Sequence, residues 1–142
     1  MKRFVFGLVA LIAVPSYAHE GVKNPAVAAR MHTMSEIGAA TKVLGDMAKG
    51  ASAFDAASAN AATLKISTEA SKIADLFHAQ EDDPKSEALP EIWTDFPDFT
   101  AKAAALKSAA EGVGTLVSLD DVKAALPKIG ATCSACHKPY RE

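Results

Sequence analysis

Apolar side chains recur along this chain at steps of three and four residues in four separate stretches, the spacing that puts them on one side of an α-helix. The clearest run is Phe96, Phe99, Ala103, Leu106, Ala110, Val113 and Val117, which predicts a helix over Phe96 to Val113. The rhythm resumes at Leu119, Val122, Leu126, Ile129, Cys133, Cys136 and Tyr140, behind a Ser118-x-x-Asp121 start that resembles a capping box. Upstream, Asn24-Pro25 offers a cap and a first-turn proline to a helix that runs to Lys49 and is stopped by Gly50. At about 100° per residue, its stripe is Val27, Met31, Met34, Gly38, Thr41, Gly45 and Ala48. Another helix spans Asp55 to Phe77 through Ile66, Ala70, Ile73 and Phe77. The polar stretch from His78 to Thr94, with its two prolines, predicts a long connection.

A step averaging about 3.5 residues calls for helices packed nearly parallel or antiparallel in a left-handed bundle. The expected fold is therefore all-α, an antiparallel up-and-down four-helix bundle. An alanine-rich chain with few β-branched runs agrees with it. Pro127 conflicts with it, because a proline inside the last helix lacks an amide hydrogen and should kink it.

Composition changes the picture at the N-terminus. Residues 1–18 combine a basic start (Lys2, Arg3), an apolar run from Phe4 to Val14, the Pro15 break, and small residues at Ser16 and Ala18. This predicts a secretory signal peptide removed after Ala18 and not a membrane span, since the apolar run is too short. Residues 19–142 then form one domain, exported to the periplasm. Removing Lys2 and Arg3 from the 15 basic residues leaves 13 against 17 acidic ones, a net charge of −4. Without a basic stripe, neither nucleic acid nor an anionic membrane surface is an expected partner, and no membrane insertion is expected.

Export makes the two cysteines informative. In an oxidising compartment two free thiols ordinarily pair, yet here they close the chain in "GATCSACHKPYRE", with His137 directly behind Cys136. A thioredoxin-type pair needs its first cysteine at a helix N-terminus, and this one lies near a C-terminal end. A structural zinc site needs four ligands, and only three stand together; the fourth would have to be His19, His32 or His78. A covalently bound haem needs two thiols on one helical face and a histidine on the next turn to ligate iron. Cys133, Cys136 and His137 meet that demand by spacing, as Cys-x-x-Cys-His. The two cysteines share the stripe of Leu126 and Ile129 and His137 lies one position along, beside it, so all three groups are expected to point into the bundle, with one haem c as cofactor.

A haem carried by the last helix presents its other axial side to whichever helix packs opposite. The first helix offers two thioethers, Met31 and Met34, on a stripe otherwise poor in bulk, where a flat cofactor lying against Gly38 and Thr41 would fill the space. Either methionine suits iron as a second axial ligand, and phase alone does not choose between them. Arg30, one turn before Met34, suits a haem propionate.

At these residues the chain resembles the class II cytochromes c, the cytochrome c′ family. The resemblance is carried by "CSACHKPYR" at the C-terminus, "PEIW" before the third helix and "ARMHTMSEIGAATKVLGDMAKG" in the first. It covers residues 22–142. It implies a four-helix bundle with covalent haem c near the C-terminus in a periplasmic protein, and a homodimer among the expected assemblies. By position it implies thioethers at Cys133 and Cys136, His137 as proximal ligand, Arg141 beside that histidine, Arg30 near a propionate and Trp93 near the haem edge. Four residues beyond the first-helix arginine, low-spin members carry methionine, as this chain does at Met34; high-spin members carry a non-ligating residue. Met31, where the family commonly has glutamine, departs from the pattern.

The leading expectation is a periplasmic one-electron carrier with six-coordinate His/Met haem, exchanging electrons with periplasmic redox proteins and not acting as an enzyme. One alternative is a five-coordinate, high-spin binder of NO or CO. Another, from a different class, is a periplasmic copper-binding protein using Met31, His32, Met34 and His19. Glu81, Asp82 and Asp83 are expected to form a solvated face of the connection, and His32 and His78 to lie on the surface.

Overall fold

Asn24 starts the first helix by accepting the amide hydrogens of Ala26 and Val27 at 2.9 and 3.2 Å on its side-chain oxygen. The computed structural model describes residues 21–142, and the expected signal peptide and His19 lie outside them. Helix α1 runs Pro25–Ala48. It ends in a Schellman motif: Ala51 N–H reaches back to Asp46 C=O (2.8 Å) and Gly50 N–H to Met47 C=O (3.0 Å). That geometry needs Gly50 at φ 75°, a conformation natural to glycine.

Asp55 caps α2 (Ala56–Ala70), accepting from Ser58 N–H at 2.8 Å. The single helix expected from Asp55 to Phe77 is broken at Ser71–Lys72, and α3 (Ile73–Leu76) follows as one further turn. The predicted connection holds a short helix of its own, α4 (Glu91–Thr94). Helix α5 is Phe96–Gly112, and α6 is Leu119–Tyr140 with both halves of the Ser118/Asp121 capping box in place. Helix α1 packs on α2, α2 on α5, α5 on α6 and α6 back on α1. This closed ring is an up-and-down four-helix bundle. Its axis is filled by Leu44, Ile66, Leu116, Val122 and Ile129, all nearly inaccessible to solvent.

Three expectations change in detail. Helix α6 is continuous through Pro127, which lies on its exposed face. Lys123, whose carbonyl loses its amide partner there, is itself an exposed residue. Second, the α5 rhythm does not carry on to Val117, which is 71% exposed while Leu116 is 1% exposed. The helix has already ended, Gly114 at φ 67° resets the phase, and Asn60 of α2 grips Leu116 by both its N–H and its C=O at 2.9 Å.

Third, the buried stripe of α1 is Val27, Arg30, Thr33, Ile37, Ala40, Leu44 and Met47. The expected stripe lies one residue, about 100°, further round the helix. Ile37 and Leu44 bury more apolar area than Gly38 and Gly45 can, and they turn the helix accordingly. Gly38 is exposed with open space around it, so the predicted flat bed for a cofactor against Gly38 and Thr41 does not exist.

Leu116→Ala should cost roughly 2–5 kcal/mol, as a buried leucine truncation does, whereas Val117→Ala should stay within about 0.5 kcal/mol of the parent. Urea unfolding of the two variants measures the difference; the phase of the sequence pattern alone gives the opposite order.

Candidate functional site

Fully buried positions on α6 stop at Ile129 and return only at Tyr140. Between them Cys133 and Cys136 are half-buried and packed against the core cluster. The facing part of α1 is similarly loosened: Met31 and Met34 are half-buried, and Met34 packs on the same cluster. A cavity of about 360 Å³ lies between the two walls. Helix α1 lines it with Val27, Arg30, Met31, Met34 and Ser35, and the end of α6 with Cys136, His137, Tyr140 and Arg141. Phe77, Ile92 and Phe99 complete the apolar lining, and residues 85–88 form the remaining side.

That last segment is held by the chain terminus. Ala88 and Arg141 form an isolated antiparallel bridge, Leu89 N–H donates to Tyr140 C=O at 3.1 Å, and Glu142 N–H to Glu87 C=O at 3.0 Å. The Arg141 guanidinium pairs with the Glu87 carboxylate at 2.5 Å. Nothing in the sequence pattern announces Glu87, which sits in a polar run with no periodicity. Tyr140 also ties two helices together, donating to the Asp98 carboxylate at 2.6 Å; this bond pushes the phenol pKa well up and holds that of Asp98 down.

The electrostatics separate the readings of the cysteine pair. Burial pushes both thiols above their ordinary value, the reverse of what a thiolate-based redox pair requires. Among the described residues no group of three or more His, Cys, Asp or Glu side chains is placed to hold a metal ion, so neither zinc nor copper gains support. His32 is exposed, and His19 lies outside the described residues. His137 stands at the cavity rim, exposed on one side and lining the cavity on the other, and does not point into the bundle core as expected. Burial first, and the Arg141 charge second, lower its pKa against the opposing pull of Glu87, which favours the neutral imidazole a ligand needs.

Arg30 lines the cavity but is only 3% exposed. It donates from Nε to Leu76 C=O (2.9 Å), from Nη1 to Glu81 C=O (2.7 Å) and from Nη2 to Ala79 C=O (2.6 Å). Trp93 stands one layer behind the lining, its indole N–H donating to Phe77 C=O at 2.8 Å. The acidic run is only partly the solvated face expected: Asp83 is 5% exposed, and its carboxylate accepts the amides of Lys23, Asn24 and Lys85 at 2.8–3.0 Å.

The family model for cytochrome c′ matches residues 25–141. The chain belongs to the cytochrome c′ family. It is 39% identical over 110 residues to cytochrome c-556 of Agrobacterium fabrum, covering 76% of this chain and 75% of that protein. It is 33% identical over 119 residues to cytochrome c′ of Rhodopseudomonas palustris, covering 81% and 80%. The solved cytochrome c′ from Rhodopseudomonas palustris superposes with a TM-score of 0.78 at 30% identity, over 84% of this chain and 98% of that one. The structural model of oxidized cytochrome c556 from the same organism gives 0.75 at 28% identity, with the same coverage.

As a cytochrome c′ family member, the chain binds a covalent haem c. The cavity fits that group: its lining is largely apolar, the α6 wall carries a thiol and a neutral-leaning imidazole, and the α1 wall carries soft thioether donors. Among the described residues no buried side-chain polar atom is left without a partner.

Asp83 gives a pH dependence with a definite sign. Three backbone amides hold its carboxyl pKa below the usual value, so its contribution to stability is present above the unfolded value near 3.9 and is lost as pH falls through the lowered one. Asp83→Asn should lower the melting temperature at neutral pH and flatten its decline below about pH 4; thermal melts at several pH values read both effects.

Proposed function

We propose that this protein is a periplasmic one-electron carrier in which Cys133 and Cys136 hold the haem, His137 ligates the iron on the α6 side and Met34 on the α1 side. The observation that carries the assignment of Met34 is its packing. Of the two methionines on the cavity wall, Met34 is the one held against the core cluster, and a thioether fixed by its neighbours is better placed to stay on a metal than one at the edge. The position also agrees with the low-spin branch of the family, and the chain is similar to proteins named cytochrome c-556.

Bound haem supplies a one-electron couple. The chain's own residues anchor it, favour the neutral form of His137, exclude water with Phe77, Ile92 and Phe99, and leave one rim at His137 and Arg141 open for a redox partner. With His137 and Met34 as its two ligands, bound haem would have no open position for a gas and would suit outer-sphere electron transfer. Among the described residues no helix is long and apolar enough to cross a membrane. Export through removal of residues 1–18, and assembly as a homodimer, belong to the same proposal.

Visible spectra of purified holoprotein test the ligand. The parent should be low-spin in both oxidation states. Met34→Ala should turn the oxidised protein high-spin, abolish the methionine-to-iron charge-transfer band and let the reduced protein bind CO. Met31→Ala should keep the parental spectrum. The reverse pattern assigns Met31, and a high-spin parent assigns the protein to the gas-binding branch.

A further inference from the structure

Arg30 is the one charged side chain placed both in the buried stripe of α1 and on the cavity wall. Three of its five N–H donors are taken by backbone carbonyls of Leu76, Ala79 and Glu81, and none by a carboxylate among the described residues. Its guanidinium lies over the Phe77 ring at 4.8 Å and over Trp93 at 5.4 Å, and Trp93 is itself bonded to the Phe77 carbonyl. The resemblance of the sequence suggests only a propionate partner for this residue. The structure shows a cation built into the wall before any propionate is considered.

We propose that Arg30 is a positioning residue with two separable duties: its fork of hydrogen bonds fixes residues 76–81 against the cavity, and its buried charge raises the reduction potential of the haem. The first duty follows from geometry. Leu76 ends α3 and residues 77–81 follow it without regular structure; the carbonyls of Leu76, Ala79 and Glu81 each take a different nitrogen of the guanidinium, an arrangement that a planar fork satisfies and a point charge does not. The second follows from Coulomb's law. Reduction moves one electron from a one-electron donor to the iron and makes the cofactor less positive by one unit charge. A fixed cation in a poorly solvated wall favours that state. Burial lowers the Arg30 pKa while Glu81 and Asp82 act to raise it; those two side chains are exposed, so solvent and salt screen their opposing effect on the haem.

The two duties come apart on substitution. In holoprotein, Arg30→Gln should speed hydrogen exchange of the peptide covering residues 73–83 on the order of tenfold and lower the midpoint potential measured at an electrode. Arg30→Lys should exchange as fast as Arg30→Gln while keeping a potential close to the parent's. Both should keep the parental spin state, which shows the axial ligands undisturbed. Parental exchange in Arg30→Gln overturns the clamp, and equal potentials in the two variants overturn the charge. If Arg30→Gln fails to accumulate with haem, Arg30→Lys decides alone: fast exchange with a parental potential supports the proposal, and parental exchange or a lowered potential overturns it. The inference rests on haem lying in this cavity and not on the sixth ligand; a high-spin parent would unseat Met34 and leave both comparisons intact.

Discussion

One end of this bundle is organised by the need to satisfy a buried guanidinium. Taking a charge out of water is costly unless its donors are met, and the carbonyls that end a short helix are equally costly to bury unpaired. Arg30 and the segment after α3 solve each other's problem: the last turn of α3 and residues 79 and 81 supply oxygens, and α1 supplies the donors. The start of α1 is tied to the same segment in the reverse sense, with Asp83 taking the amides of Lys23 and Asn24, and Glu81 the side-chain amide of Asn24. Connection and helix cap one another, and the cavity opens between them and α6.

The opposite wall depends on α6 keeping its phase for 22 residues. Its capping box fixes the start, Val122, Ala125 and Ile129 seat it on the core, and the cysteine pair follows on the same side. The far end is then pinned sideways. Tyr140 reaches Asp98 of α5 and packs edge-on against Phe99, while the chain terminus bridges to residues 87–89. These ties lie three to five residues beyond His137.

Together the two walls enclose a largely apolar cavity with a thiol and an imidazole on the α6 side and two thioethers on the α1 side. Burial raises the pKa of both thiols, which disfavours the thiolate form that a redox pair or a metal site uses. The imidazole leans toward neutrality, and the sulfur donors of α1 are soft. Covalent attachment removes exchange of the cofactor, and what the protein can still tune is the electrostatic surroundings of the iron.

Much of this was legible in the residues. The helix starts at Asn24, Asp55 and Ser118, the stop at Gly50 and the Cys-x-x-Cys-His spacing are local features, written within four or five residues of where they act, and the family resemblance rests on the same stretches. The 3.5 rhythm of α5 and α6 named their buried faces because one apolar face was much better than the others. On α1 the pattern pointed one residue too far round, since Met31 and Met34 sit where the cavity is and Ile37 and Leu44 sit where the core is, and periodicity cannot tell a core wall from a cavity wall. The second helix is shorter than its apolar stripe suggests, because Ser71 and Lys72 break it without proline or glycine. What only the tertiary structure decided is long-range and polar: Asn60 on Leu116, Glu87 on Arg141, Asp83 on the start of α1 and Arg30 on the carbonyls of Leu76, Ala79 and Glu81, each pairing residues 46 or more apart in the chain. A hydrogen bond needs one donor and one acceptor at one place and repeats nowhere, so it leaves no period in the sequence, whereas burial of apolar area repeats with every turn of the helix.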